Sequence, residues 1–210
     1  MPPDWIERQL RRRGIHDGRV LAAMERVPRE AFVPIGARKR AYADAALVLP
    51  HGQTISQPYI VALICQALEL QGNERVLDVG TGSGYQAAVL AELVAEVITV
   101  ERIPELAAQA RRNLAAAGYE LDVREGDGSL GVPDRAPYDG IAVAATAHAV
   151  PGPLYEQLAP GGRLVLPIEE SLVAITKTDK GRKTRFLSPA RFVPLVPGLP
   201  ERGLGMTGPS

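Results

Sequence analysis

Apolar positions change their spacing along this chain. Five short runs are apolar almost throughout and rich in β-branched residues, at 75–79, 96–101, 121–124, 140–144 and 163–167. Stretches with helical spacing lie among them, at 59–70, 86–93, 105–117 and 154–158. Buried-looking strands that alternate with helices predict a parallel sheet covered on both faces, the doubly wound α/β arrangement. Short helices broken by Pro and Gly come first. Asp4 is placed to cap one that reaches about residue 13, and Asp17 another that reaches about residue 26, before Pro28 stops it. After the core pattern, 172–178 and 185–187 read as strands joined through Asp179-Lys180-Gly181, an antiparallel hairpin on one sheet edge. Residues 203–210 are Gly-rich with little to bury, which predicts a frayed tail. The chain thus divides into a helical region 1–57, a core 58–196 and a tail 197–210, within one compact domain.

Composition narrows the class. With 210 residues, 46% of them hydrophobic and 23% charged, the chain has material for a real core, which excludes a disordered protein. No window approaches about eighteen uninterrupted apolar residues, so no membrane span is expected. The opening MPPDWIERQLRRRG lacks the apolar stretch of a secretory signal. Cys65 is the only cysteine, so no internal disulfide can form, and a reducing, cytoplasmic setting is expected. Residues 1–40 carry ten Lys/Arg against five Asp/Glu, and the rest of the chain balances this to a net charge of zero. A nucleic-acid partner is not expected from so balanced a chain, and the runs Arg11-Arg12-Arg13 and Arg38-Lys39-Arg40 read as solvated faces.

The most informative segment is Val76-Leu77-Asp78-Val79-Gly80-Thr81-Gly82-Ser83-Gly84-Tyr85. A buried strand ends in three glycines and turns straight into a helix, so a ligand can lie against bare main chain and free N–H groups. About twenty residues on, a second strand ends in Glu101, whose carboxylate can accept both hydroxyls of a ribose. A third strand leads into Asp127 and Gly128, with Asp127 placed to accept from an exocyclic adenine amine. Together these describe an adenosine site built from adjacent strand ends. The dinucleotide spacing G-x-G-x-x-G fails because residue 85 is Tyr, and no Walker-type loop is present. G-x-G-x-G after an acidic strand resembles instead the S-adenosylmethionine loop of class I methyltransferases. That resemblance implies a Rossmann-like, mostly parallel, seven-stranded sheet, with cofactor contacts from Asp78, Gly80, Thr81, Gly82, Ser83, Gly84, Glu101, Asp127 and Gly128.

Longer segments sharpen the likeness. YADAAL at 42–47, HGQTISQPYIVA at 51–62 and VLDVGTGSGYQAAVLA at 76–91 resemble the protein-L-isoaspartate O-methyltransferase family. So do VERI, GDGSLG, APYDGIAV, QLAPGGRLVLPI and RFVPLV further on, and the likeness spans roughly 25–197. It implies S-adenosyl-L-methionine as methyl donor, S-adenosyl-L-homocysteine as product, and the free carboxylate of an L-isoaspartyl residue in a damaged protein or peptide as acceptor. The family's active-site serine maps onto Ser56, with Thr54 and Ile55 holding the loop and the cofactor and Gln57 beside the substrate. Pro194, Leu195 and Val196 are implied as part of the peptide groove, and 1–57 as the substrate side. A carboxylate with a pKa of about 4 is already ionised at neutral pH, so the site needs no base. Ser56 is then an orienting group. The product ester is expected to cyclise to a succinimide that opens partly to aspartate. The chain departs from the family pattern at Leu47-Val48-Leu49-Pro50 and at His148.

Other chemistry is poorly supported. His16, His51 and His148 are scattered and offer no metal cluster, and the sequence around Ser83 is not a G-x-S-x-G nucleophile elbow. Cys65 and Trp5 read as core residues. Two competing functions remain to be weighed: methylation of RNA or a small molecule, motivated by the basic first forty residues, and a binding module without turnover. The expected species is a monomer.

Overall fold

A computed structural model describes residues 4–200, so the tail expected at 203–210 lies outside the described residues. Helix α1 (Trp5–Gln9) is short, and the chain then tightens into a single turn at 11–13, so the one helix expected here breaks in two. Asp4 does not cap it: the residue is left-handed, with φ 63°, and its side chain accepts no capping bond. Asp17 does cap α2 (Gly18–Arg26), accepting from the amides of Arg19 and Val20. The difference is one of backbone, since an N-cap needs extended geometry, which Asp17 has and Asp4 lacks. Trp5 anchors α1 by packing against Tyr42, with ring centres 5.0 Å apart. A two-residue ribbon pairs β1 (Leu47–Val48) with β2 (Thr54–Ile55). It leads into α3 (Pro58–Leu68), which Pro58 starts and a left-handed Glu69 ends.

The apolar runs become β3 (Arg75–Val79), β4 (Glu96–Glu101), β5 (Asp122–Glu125) and β6 (Tyr138–Val143), with α4 (Tyr85–Ala91) and α5 (Pro104–Ala116) between them. Helix α6 (Gly152–Glu156), β7 (Leu158–Ile168), β8 (Ser171–Thr178) and β9 (Gly181–Pro189) follow. The seven-stranded sheet runs β5-β4-β3-β6-β7-β8-β9, parallel through β7 and antiparallel for the last two strands. Successive side chains of a strand enter opposite layers. Val76 joins Trp5, Met24, Ile64 and Leu90 on one face, whereas Leu77 and Val79 join Ile141, Leu154 and Leu164 on the other. Strand order reverses between β4 and β6 around central β3, which opens a crevice beyond the strand ends.

The C-terminal strands are longer than their sequence suggests. β9 begins at Gly181, well before the apolar residues that mark it, because Arg182, Lys183 and Thr184 pair with β8 along an exposed edge. Charged residues on such an edge discourage further pairing, so no hydrophobic period marks them. β7 takes in Ala159-Pro160-Gly161-Gly162, where its register with β6 shifts. No described helix is long and apolar enough to cross a membrane.

That register shift makes Gly162 demanding. A Cβ there would meet the carbonyl oxygens of Ala159 at 2.9 Å, Tyr138 at 3.0 Å and Asp139 at 3.1 Å, all of them backbone atoms. Gly162→Ala is expected to cost about 1–3 kcal/mol, read as a lower urea midpoint with an unchanged slope. An unaltered midpoint would show that the bulge yields freely.

Candidate active site

The glycine loop leaves β3 with Gly80 at φ 91° and reaches α4 with Gly84 at φ 91°, both left-handed. Gly84 is also crowded, since a Cβ there would lie 3.0 Å from Leu114 Cγ. The carbonyl of Val100 accepts from the amides of Gly80 (2.9 Å) and Thr81 (3.3 Å), which stitches the loop to β4. Glu101, at the end of β4, is buried, with Oε2 accepting from the Gly82 amide at 2.9 Å and Oε1 from the Ile103 amide at 3.0 Å. A carboxylate oxygen can accept twice. Each Glu101 oxygen therefore retains capacity for one more donor, which suits a pair of adjacent hydroxyls.

Asp78 supports the loop from behind and does not line the crevice. It is wholly buried, accepting from Gln86 Nε2 at 2.7 Å and Thr99 Oγ1 at 2.9 Å, and Thr99 in turn bonds the Thr81 hydroxyl at 2.6 Å. Burial pushes the Asp78 carboxyl up to about 6, against the pull of the Gln86 and Thr99 bonds, and the Glu101 charge adds to the rise. Asp127 accepts from the Ser129 amide and hydroxyl at 2.8 and 2.7 Å and from the Gly198 amide at 2.6 Å. Its partial burial opposes ionisation, but these bonds prevail and hold the carboxyl below its ordinary value. Gly128 packs so closely that a Cβ would sit 2.6 Å from Val79 Cγ1.

Three cavities meet at this end of the sheet. The first, of about 200 Å³, is lined by Gly80, Gly82, Glu101, Gly128 and Ala144, with residues 193–196 as its outer wall. That wall is fixed by two backbone bonds to Thr146, from its amide to Val193 (2.8 Å) and from Leu195 to its carbonyl (2.7 Å). The second, of about 340 Å³, is lined by Thr54, Ser56, Gln57, Ile60 and residues 189–192. A narrow third space joins Ser56 to Gly80, Thr81, Gly82 and Ser83. Thr54 lines all three. Ile55 is buried and pins the loop to the core.

The expected residues thus fall into two groups, apart from Ile55, Thr81 and Ser83, which line only the narrow third space, and Asp78, Gly84 and Asp127, which line none of the three. Gly80, Gly82, Glu101 and Gly128 surround the first cavity, and Ser56 and Gln57 the second. Pro194, Leu195 and Val196 lie on the first cavity, whereas Pro189, Ala190, Arg191 and Phe192, to which sequence reasoning gave no role, wall the second. Ala144 was missed as well. Its small side chain at the end of β6 keeps the crevice open, a role no spacing announces. Gln57 is held by Asp44, donating to its carbonyl at 3.2 Å and its carboxylate at 2.5 Å, and Asp44 also binds Arg13 at 2.8 Å. Of the residues that invited other readings, His51 sits left-handed in an exposed turn and His148 is exposed, while Cys65 is buried, which pushes its thiol pKa up. Among the described residues no group of three His, Cys, Asp or Glu is arranged to hold a metal ion.

Comparison with known proteins agrees with this geometry. The family model for protein-L-isoaspartate(D-aspartate) O-methyltransferase matches residues 4–199. Protein-L-isoaspartate O-methyltransferase 2 of Marinobacter nauticus is 57% identical over 195 residues, covering 90% of this chain and 89% of that relative. The corresponding methyltransferase of Methanoculleus marisnigri is 50% identical over 198 residues, covering 92% and 90%. A solved protein-L-isoaspartate O-methyltransferase superposes with a TM-score of 0.81 at 29% identity, covering 92% of this chain and 65% of that one. A Plasmodium falciparum structure assigned to the same activity, in complex with S-adenosyl-L-homocysteine, gives 0.78 at 27% identity, covering 92% and 97%.

The buried Asp78 carboxyl has a signature in pH. The folded protein holds its proton up to about pH 6, whereas the ordinary value is 3.8. Ionisation therefore works against the fold, and stability falls as pH rises through that window, by about 3 kcal/mol. Asp78→Asn lacks this loss, and a turned-over Gln86 amide can still partner it, since Gln86 Oε1 has no partner of its own. Urea denaturation of both proteins from about pH 4 to 7 should show the variant gaining on the wild type as pH rises. A constant gap would contradict the assignment.

Proposed function

We propose a division of labour between two adjoining cavities, in a chain that belongs to the protein-L-isoaspartate(D-aspartate) O-methyltransferase family. The enzyme transfers a methyl group from S-adenosylmethionine to the free carboxylate of L-isoaspartyl residues in damaged proteins, which starts their repair to aspartate through a succinimide. The first cavity is the donor's side and the second the acceptor's. The residues present fit the donor: Glu101 has an acceptor position free on each oxygen, Gly80 and Gly82 offer bare main chain, and Ala144 leaves the crevice open. S-adenosylmethionine, when bound, supplies a methyl carried on a positively charged sulfur.

The observation that carries this reading is the place of Thr54 on both cavities, with Ser56 beside it facing the glycine loop across a narrow gap. An acceptor carboxylate held by Ser56 is already ionised and gives up no proton, so the loop's task is to orient it and keep water out. Gln57, locked by Asp44, and Ile60 and Phe192 shape the acceptor's cavity. Ala46, Thr54, Ser56 and Gln57 of the N-terminal region supply one wall of that side and residues 189–192 another, while 193–196 close over the donor. Cys65, the only cysteine, supports a reducing compartment.

Two substitutions separate the cavities. Ser56→Ala should lower kcat for an isoaspartyl peptide about 10- to 100-fold, the worth of an orienting hydrogen bond to a charged group, and leave S-adenosylhomocysteine affinity unchanged by calorimetry. Equal losses in both would contradict the orienting role. Glu101→Ala should weaken S-adenosylhomocysteine binding by about the same factor. An unchanged Kd there would remove the ribose assignment.

A further inference from the structure

Arg29 is fully buried, and among the described residues it makes no ion pair. It stands in the turn Arg29–Phe32, just after Pro28 ends α2. Its Nε donates to the carbonyl of Ala41 at 2.7 Å, and its Nη2 donates to the carbonyl of Ser56, also at 2.7 Å. The guanidinium carbon lies 4.7 Å from the centre of the Tyr85 ring, and Nη1 has no partner. The neighbouring carboxylate, Glu30, is engaged by the Tyr42 hydroxyl instead. Burial pulls the guanidinium pKa below its ordinary value.

A buried cation without a carboxylate is expensive, and an apolar side chain of similar volume fills such a space at lower cost. What an apolar residue cannot do is hold two carbonyls from separate segments at fixed separation. A guanidinium fork can. Here the fork joins Ala41, at the end of the N-terminal turns, to Ser56 of the acceptor loop. Its face rests on Tyr85, the first residue of α4 after the glycine loop. One side chain thus links the acceptor loop to the element that follows the donor's cradle. The bond falls on the backbone of Ser56, so it sets where that residue stands and leaves its hydroxyl for the substrate.

We propose that Arg29 is a positioning residue for methyl transfer, fixing Ser56 against the glycine loop through the Ser56 carbonyl. The proposal rests on the reading of Ser56 as the orienting group. Geometry and charge make different predictions. If charge mattered, Arg29 would draw the acceptor carboxylate in and Arg29→Lys would preserve the effect. A fork that sets geometry acts on kcat, and a lysine, with one compact ammonium, cannot span both carbonyls.

The test uses Arg29→Lys, Arg29→Met, Ser56→Ala and the Arg29→Lys/Ser56→Ala double variant, with kcat and KM for an isoaspartyl peptide and calorimetric titration of S-adenosylhomocysteine. Arg29→Lys should lower kcat about 10- to 100-fold, the cost of displacing a reacting group by about 1 Å, with the S-adenosylhomocysteine Kd little changed. In the Ser56→Ala background the same change should have little further effect on kcat, because Arg29 acts through Ser56. Losses that multiply in the double variant would make Arg29 merely structural and overturn the proposal. So would a loss confined to the peptide KM, or full kcat in Arg29→Lys beside an impaired Ser56→Ala. An unimpaired Ser56→Ala would remove the premise together with the proposal. Should Arg29→Met fail to bind S-adenosylhomocysteine, as a misfolded variant would, Arg29→Lys decides alone.

Discussion

The carboxylate of Glu101 receives the amides of Gly82 and Ile103, and the proposed donor side of the site depends on that pair of bonds. A loop of bare main chain costs conformational entropy and leaves N–H groups that must find partners. Here β4 supplies them. Val100 takes the amides of Gly80 and Thr81, Glu101 takes that of Gly82, and the loop closes on itself from Gly84 to Thr81. Behind it the chain Gln86–Asp78–Thr99–Thr81 ties α4, β3 and β4 together, at the cost of burying a carboxyl whose ionisation works against the fold. The result is a ligand surface built on rigid strands, which keeps its geometry better than one built on free loops.

The proposed acceptor side follows a different logic. It consists of turns, a two-residue ribbon and the ends of short helices, and few regular ladders hold it. Side chains reaching carbonyls take their place: Arg29 to Ala41 and Ser56, Gln57 to Asp44, Gln9 to Tyr42. Such bonds fix a loop at single points.

Much of this was legible because the signals are local. The β-branched runs of β3 and β4, the Asp17 cap, the glycine turn and Glu101 at the second strand end each depend on a few neighbouring residues, and each stands on the element its neighbours predict, although Gly84 packs on Leu114 and does not line the crevice. What was not legible depends on distant partners. Asp4 resembles Asp17 in the sequence, but its left-handed backbone removes the cap. β9 reaches back to Gly181 only because β8 offers an edge. Phe192 walls the acceptor cavity through the fold of the C-terminal segment, with no motif of its own. Arg29 is hardest to see, since in a basic N-terminal stretch it reads like Arg26 or Arg38, and only the fold buries it.

The most direct test of the two-cavity account is a crystal structure of the enzyme with both S-adenosylhomocysteine and an isoaspartyl peptide. The account predicts the ribose on Glu101 and the peptide's free carboxylate within hydrogen-bond reach of Ser56, in the space walled by Gln57, Ile60 and Phe192. A peptide carboxylate seated away from Ser56, with the ribose still on Glu101, would contradict it.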